Sequence, residues 1–189
     1  MKTPAAIVVG CSAGGLDALK VLLSGLDPRL PQPVLVCCHT GSETVDLLCE
    51  LLGRVSTLPV MAAAERHMAR DGYVQLAPTG YHLLVEPDRH FALSIDPRVN
   101  HSRPSIDVLF ASAAMVWRDA LIGVVLTGAS ADGAEGLQLL RRAGGCAIVQ
   151  SPATAQVPIM PQAALDHAGA DYCLALDGIA PLLNRLCLP

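Results

Sequence analysis

The sequence has little of what marks a protein that binds nucleic acid or crosses a membrane. It contains no run of basic residues, and its 13 Lys and Arg are outnumbered by 17 Asp and Glu, which gives a formal net charge of −4. This balance argues against nucleic acid as the main partner. No apolar stretch reaches the roughly 20 residues needed to cross a bilayer, and the segment after Met1 becomes glycine-rich too early for a signal peptide. We therefore expect a soluble, cytoplasmic protein without membrane insertion.

The sequence also lacks the spacing of common metal and redox motifs. Seven cysteines are present, including the adjacent pair Cys37 and Cys38, but no Cys-x-x-Cys pair occurs. None of the six histidines forms a His-x-His or His-x-x-x-His pair, the spacing typical of a metal site. We expect small buried thiols in a reducing compartment, and we predict neither a metal nor a cofactor.

Aromatic residues are scarce as well. They make up 3% of the chain, whereas hydrophobic residues as a whole make up 52%, mainly alanine and leucine. A chain of 189 residues is long enough for one domain with a substantial core. Because no internal repeat, low-complexity segment or linker divides it, we predict a single domain over residues 1–189.

Short apolar runs alternate with segments whose leucines and alanines recur at helical spacing. Ala5 to Val9, Val34 to Cys38 and Ala120 to Leu126 are typical of buried strands, and a helical pattern follows each of the first two. This alternation predicts a doubly wound α/β domain with a mostly parallel, Rossmann-like sheet and helices on both faces. Between residues 58 and 96, four short extended segments separated by turns predict a small antiparallel excursion.

Ser12 occupies a glycine-rich turn between the first strand and the first helix. Such a turn exposes a side chain at the carboxyl edge of the sheet, next to unpaired N–H groups of the helix. Two interpretations are open: Ser12 is a nucleophile, or the turn cradles a phosphate. The second lacks its full motif, because Gly10 to Gly15 has neither the dinucleotide glycine spacing nor a Gly-Lys-Ser/Thr ending.

Two other strand ends carry groups that activate a serine hydroxyl. His39 follows the second strand, just before a helix from Thr44 to Arg54 that we expect Ser42 to cap, and Asp132 follows a later strand. The carboxyl ends of parallel strands share one edge, where ligands bind. An imidazole and a carboxylate placed there can handle the proton of a serine. Alternatively, His39 is a structural hydrogen-bonding residue and Asp132 caps the helix that follows it.

Six blocks of the sequence resemble the catalytic domain of CheB-type chemotaxis protein-glutamate methylesterases. They occur in that family's order and extend over nearly the whole chain, from about Ala6 to Leu186. The blocks are Gly10-Cys11-Ser12-Ala13-Gly14-Gly15, Cys38-His39-Thr40, Leu76-Ala77-Pro78-Thr79-Gly80-Tyr81-His82-Leu83, Arg103-Pro104-Ser105-Ile106-Asp107-Val108-Leu109-Phe110, Leu126-Thr127-Gly128-Ala129-Ser130-Ala131-Asp132-Gly133-Ala134 and Met160-Pro161.

The resemblance implies a function and a catalytic triad. The family's Ser-His-Asp triad falls on Ser12, His39 and Asp132. The expected activity is that of a serine hydrolase, which removes γ-methyl ester groups from glutamates of chemoreceptors, releases methanol and can also deamidate receptor glutamines. The receptor is then the partner, a receptor methyltransferase opposes the enzyme, and we expect a monomer. The alternative is a catalytically degenerate relative that serves as a receptor-binding signalling module.

The chain departs from the family's pattern around the triad. Ala13 stands where many members have threonine. The family's Gln-His-Met-Pro block appears as Cys38-His39-Thr40-Gly41, and its Thr-Gly-Met-Gly block appears as Thr127-Gly128-Ala129-Ser130. These departures remove no member of the triad, but they change residues that grip the substrate or supply the oxyanion site. We also expect no receiver domain, because the first predicted strand begins almost at Met1.

Overall fold

The computed structural model describes residues 3–39 and 44–188, and within them nine strands and six α-helices. The strands are β1 (Ala6–Cys11), β2 (Val34–Cys38), β3 (Val60–Ala62), β4 (Val74–Leu76), β5 (His82–Val85), β6 (Phe91–Ser94), β7 (Leu121–Val125), β8 (Cys146–Gln150) and β9 (Tyr172–Leu174). The helices are α1 (Gly15–Ser24), α2 (Val45–Gly53), α3 (Ile106–Trp117), α4 (Ala134–Arg142), α5 (Ile159–His167) and α6 (Leu176–Cys187).

Seven strands form one parallel sheet in the order β3-β4-β2-β1-β7-β8-β9. Its central strands are continuous apolar runs that are buried along their whole length, as expected where helices cover both faces. Helices α1, α2 and α6 pack on one face and α3, α4 and α5 on the other, each set with its own apolar core. The predicted doubly wound α/β fold is therefore confirmed.

The antiparallel part of the fold is smaller than predicted. Strands β5 and β6 form a two-stranded antiparallel sheet, as expected for this segment. The prediction was wrong for β3 and β4, because both join the main sheet in parallel pairing. Each of these two strands is only three residues long, so the sequence carries too few residues to reveal the direction of pairing.

The sheet order brings three predicted site residues to one edge. Strand β1 lies between β2 and β7 and pairs in parallel with both. Ser12 follows β1 and His39 follows β2, immediately after the register partners Cys11 and Cys38. Asp132 lies in the loop that follows β7. All three residues are therefore placed beyond the carboxyl ends of adjacent parallel strands, at the point where the order of the strands in the sheet reverses.

Helix α2 begins one residue after Thr44, whose hydroxyl accepts a hydrogen bond from the N–H of Leu47. The predicted cap, Ser42, lies outside the described residues. Among the described helices, none is both long enough and apolar enough to span a membrane.

All seven cysteines are free thiols. Five of them are buried, Cys49 is half-buried and Cys173 is exposed, so the expectation of buried thiols was wrong for Cys173. A hydrogen bond with Cys38 and complete burial raise the pKa of the Cys11 thiol. The thiol next to Ser12 is therefore a poor nucleophile, because only a thiolate reacts readily.

Candidate active site

The turn after β1 holds Ser12 in a tight, glycine-dependent conformation. The N–H of Gly15 donates to the carbonyl of Ser12 at 2.7 Å, and Gly14 has a left-handed backbone with φ of 76°. A side chain at Gly14 would be strained by this φ and would also meet the Gln156 side chain at 2.5 Å. The glycines therefore allow the chain to reverse sharply and leave Ser12 partly exposed at the sheet edge.

Thr127, just beyond β7, fastens this turn to the rest of the sheet edge. Its carbonyl accepts from the N–H of Ser12 at 2.9 Å, and its hydroxyl donates to the carbonyl of Ala13 at 2.9 Å. The same hydroxyl accepts from the N–H of Val157 at 2.9 Å, while the N–H of Thr127 donates to Gln150 at 2.9 Å. The backbone of Ser12 is thus held from both sides, although no hydrogen bond among the described residues holds its hydroxyl.

His39 and Asp132 are in direct contact, with Nε2 of the imidazole 2.8 Å from Oδ2 of the carboxylate. The side chain of Asp132 is fully buried, and that of His39 is 14% exposed. An ionised carboxylate can only accept hydrogen bonds, so Nε2 carries the hydrogen. In the neutral ring, Nδ1 is therefore the nitrogen with a free lone pair, and it is the atom able to accept a proton from a hydroxyl.

Asp132 receives five hydrogen bonds among the described residues, including the one from His39. Oδ2 also accepts from the N–H of Ile106 at 2.7 Å. Oδ1 accepts from the Ser105 hydroxyl at 2.8 Å, the N–H of Asp107 at 3.2 Å and the Asn100 amide at 3.2 Å. Burial by itself would raise the pKa of Asp132, but hydrogen bonds, above all that from His39, outweigh it and lower the pKa to about 2. The carboxylate therefore stays charged at neutral pH.

These contacts answer the alternative that Asp132 caps the helix after it. The N–H groups it binds belong to Ile106 and Asp107, at the start of α3, where the helix dipole favours an anion. The start of α4 is held by Asp107 instead, whose Oδ1 accepts from the N–H groups of Gly133 at 2.9 Å and Gly136 at 2.7 Å. Asp132, which lies just before α4, therefore binds the start of α3, and Asp107, which lies in α3, binds the start of α4.

Asp107 has the opposite electrostatic character from Asp132. Burial is the main cause that raises its pKa, and the negative charge of Asp132 adds to it, to a value of about 6. The hydrogen bonds from Gly136 and Gly133 only partly offset this rise. Two neighbouring carboxyl groups with pKa values pushed in opposite directions are a common property of active sites.

A cavity of about 530 Å³ opens at this edge of the sheet, and both Ser12 and His39 line it. The structure contains no hydrogen bond between these two side chains among the described residues. Nδ1 of His39 lies 3.4 Å from the Ser102 hydroxyl instead. Arg98, His101 and Arg103 also line the cavity, and among the described residues its lining includes no Asp or Glu. The cavity thus presents a hydroxyl and an imidazole within a positively charged wall.

Cavity size alone does not identify this site. A surface cavity of about 700 Å³ lies beside Phe91, and its lining includes the contacting pair His90 and Asp88. No serine, threonine or cysteine lines it, so it offers no nucleophile to that pair. Among the described residues, no group of three or more His, Cys, Asp or Glu could hold a metal ion.

The structure therefore brings His39 and Asp132 into contact and places Ser12 in the same cavity. The sequence interpretation did not assign a role to Asn100, Ser102, Ser105 or Asp107, all of which surround the His39–Asp132 pair. A signal was available in the residue types, since Ser105 and Asp107 stand at the start of α3, where polar side chains bind free N–H groups. That they meet Asp132 follows only from the packing of α3 against the sheet edge.

Comparison with known proteins identifies the family of the chain. The family model for CheB methylesterase matches residues 7–183. A protein from Leptospira interrogans is 44% identical over 181 residues, which cover 96% of this chain and 94% of that protein. The protein-glutamate methylesterase/protein-glutamine glutaminase of Symbiobacterium thermophilum is 37% identical over 95% of this chain, which spans about half, 49%, of that protein.

A solved structure extends the similarity to three dimensions. The catalytic domain of the Thermotoga maritima CheB methylesterase superposes with a TM-score of 0.93 at 28% identity, over 97% of this chain and 99% of that domain. Since both the family model and the fold match along almost the whole length, the chain belongs to the CheB methylesterase family.

Proposed function

We propose that this protein is a serine hydrolase that removes γ-methyl ester groups from glutamate residues of chemoreceptors, with residues 1–189 forming a single catalytic domain. Ser12 is the nucleophile, His39 the general base and Asp132 the carboxylate that orients the imidazole. The observation that carries the proposal is the 2.8 Å contact between His39 and a charged Asp132 at a cavity shared with Ser12.

In the proposed first half-reaction, Oγ of Ser12 attacks the ester carbonyl while Nδ1 of His39 takes its proton. The tetrahedral intermediate collapses, the bond to the methoxy group breaks, and the proton on Nδ1 passes to departing methanol. In the second half-reaction, His39 activates a water that attacks the acyl-enzyme, releases the glutamate carboxylate and restores the Ser12 hydroxyl. A glutamine side chain would follow the same route and release ammonia in place of methanol.

The negative oxygen of the intermediate needs N–H donors that are not already used. The N–H groups of Ser12, Gly15 and Gly128 donate within the turn and the adjoining loops. Those of Ala13, Gly14, Ala129, Ser130 and Ala131 make no hydrogen bond among the described residues. We therefore assign the oxyanion site to free backbone N–H groups of the turn after Ser12 and of the loop after β7, which the departures from the family's side-chain pattern leave intact.

The positively charged wall supports an acidic partner. Arg98 and Arg103 would favour a receptor segment that carries carboxylates beside the ester, because opposite charges steer and hold a substrate. We further propose that the protein is a cytoplasmic monomer. Its protein substrate is a chemoreceptor, and a methyltransferase catalyses the opposite reaction on that receptor. No contact among the described residues favours the alternative of a degenerate signalling module.

Methanol release from a methylated receptor fragment tests the proposal. The wild-type chain should release methanol and react with a fluorophosphonate at Ser12. Ser12→Ala should lose about 10⁴-fold or more of the rate and all labelling, while its thermal melting stays close to that of the wild type, since the hydroxyl makes no hydrogen bond among the described residues. A Ser24→Ala variant, altered at the exposed end of α1, is the matched control. An unimpaired Ser12→Ala variant would disprove the nucleophile assignment.

A further inference from the structure

A tight turn from Val99 to Ser102 lies over the His39–Asp132 pair. The N–H of each of these two residues donates to the carbonyl of the other, at 3.2 and 2.8 Å. The two residues between them, Asn100 and His101, both have left-handed backbones, with φ of 49° and 64°. Such two-residue turns favour Asn in the first position, because Asn tolerates a positive φ better than most side chains. The turn thus fixes the direction in which the Asn100 side chain leaves the backbone.

The Asn100 amide contacts both carboxylates at the site. Its Nδ2 lies 2.7 Å from Oδ2 of Asp107 and 3.2 Å from Oδ1 of Asp132. An amide nitrogen carries two hydrogens, so it can donate one to each carboxylate. Both partners are acceptors when ionised, and this identifies the nitrogen, and not the oxygen, as the end of the amide that faces them.

We propose that Asn100 is a positioning residue for the esterase reaction, because its amide bridges Asp107 and Asp132 and so keeps the Asp132 carboxylate aimed at Nε2 of His39. This inference rests on the proposed function of the Ser12, His39 and Asp132 side chains. Two neighbouring carboxylates in a buried site repel each other, and a shared donor between them is the simplest way to hold both in place.

The bridge also connects three segments that would otherwise move separately. Asp132 lies in the loop before α4, Asp107 in the first turn of α3, and Asn100 in the loop before α3. The side chain of Asp107 holds the start of α4 in turn, through Gly133 and Gly136. Asn100 also lines the cavity, but its amide nitrogen contacts the carboxylate that orients the base. Its loss should therefore affect the rate of the chemical step more than substrate binding.

Other ionisable groups surround the bridge on every packed side. His39 contacts Asp132 from the end of β2, and Arg98 and Arg103 lie on the same loop as Asn100 at the cavity. Cys37 of β2 is a buried thiol whose pKa is raised by burial and by the charge of Asp132, so it stays neutral. Of these groups, only His39 donates to one of the two carboxylates. It binds Oδ2 of Asp132, whereas Asn100 binds Oδ1.

Two substitutions that suit the turn test the inference. Asn100→Asp retains the shape of the side chain and tolerates the backbone, but it replaces the donor amide with a third carboxylate. Asn100→Gly retains the turn and removes the side chain altogether. Arg89→Gly is the matched control, because Arg89 also has a left-handed backbone, with φ of 68°, and lies in the β5–β6 turn outside the cavity.

We expect kcat for methanol release to fall by up to about 10²-fold in Asn100→Asp, as a small misplacement of a catalytic group can cost that much, and by less in Asn100→Gly. KM should stay within about twofold, and the rate of fluorophosphonate labelling at Ser12 should fall in parallel with kcat. The control should match the wild type in all three measurements. Should Asn100→Asp fold poorly in a thermal melt, Asn100→Gly supplies the result.

The outcomes separate this inference from the function on which it rests. Wild-type kcat and labelling rates in both Asn100 variants would overturn the positioning role and leave the proposed function standing. A rise in KM with unchanged kcat would also overturn it, because Asn100 would then contact substrate. A wild-type chain that neither releases methanol nor becomes labelled would overturn both.

Discussion

The two ends of the proposed relay are built differently. Asp132 is fully buried and receives five hydrogen bonds, whereas the Ser12 side chain is partly exposed and makes none among the described residues. His39 contacts Asp132 through Nε2 and lines the same cavity as Ser12. Rigid support is therefore concentrated on the carboxylate that must not move. The nucleophile has a fixed backbone and a free hydroxyl, which suits a group that has to form and break a covalent bond.

Asp132→Asn should have the largest combined effect on rate and stability, because it alters the residue with the most hydrogen bonds in the proposed relay. An amide is neutral and has one acceptor oxygen in place of two, so it cannot stabilise an imidazolium as a carboxylate does. We therefore expect the rate of methanol release to fall by about 10⁴-fold. Unlike Ser12→Ala, it should also lower the free energy of unfolding, because the donors of Ile106 and Asp107 lose a charged partner. Denaturant titration of both variants checks this contrast. Equal free energies of unfolding for Asp132→Asn and Ser12→Ala would show that the two side chains do not differ in their structural role.

The same substitution should change how stability depends on pH. The pKa of Asp132 is about 2 in the folded protein against an ordinary value of 3.8. A group with a lowered pKa stabilises the folded state above its unfolded pKa, and that contribution is lost as the pH falls towards the folded value. The stability gap between wild type and Asp132→Asn should therefore narrow by about 2 kcal/mol between pH 5 and pH 2. A gap that widens in acid would contradict the assigned direction.

Thr127→Val should have an intermediate effect, because it loosens the backbone of the nucleophile end. Valine has nearly the same shape but loses the hydroxyl bonds to Ala13 and Val157. We expect kcat to fall by roughly 10- to 100-fold through misplacement of Ser12, with a stability loss of about 1 kcal/mol for the partly buried groups left unpaired. Thr154→Val, which removes an exposed hydroxyl bonded only to Ser151, is the control and should leave kcat unchanged.

Ser102→Ala should have the smallest effect. Its hydroxyl lies 3.4 Å from Nδ1 of His39, which is too long for a strong hydrogen bond. We expect kcat to fall by roughly two- to fivefold, because the imidazole becomes slightly less ordered. Ser24→Ala is again the control. A loss of 100-fold or more would mean that Ser102, and not only Asp132, is required to orient the base.

The sequence predicted the parts of this molecule that depend on repeating patterns and on strand ends. Ser12, His39 and Asp132 each follow a strand, and a parallel sheet places such positions at one edge. The support around Asp132 was not predictable in the same way, because Asn100 and Asp107 meet it only after α3 packs on the sheet. The pairing of β3 and β4 was missed for a related reason, as three residues contain no clear period.

The reciprocal capping of α3 and α4 has a consequence for comparing homologues. The carboxylate of Asp132 binds the first turn of α3, and that of Asp107 binds the first turn of α4. Both residues therefore stabilise the fold whether or not the protein is an active hydrolase. A homologue that had abandoned catalysis would still need both aspartates to keep its helices seated. The Ser12 side chain has no such structural role, so we expect Ser12 to be the first of these residues to be substituted in an inactive homologue.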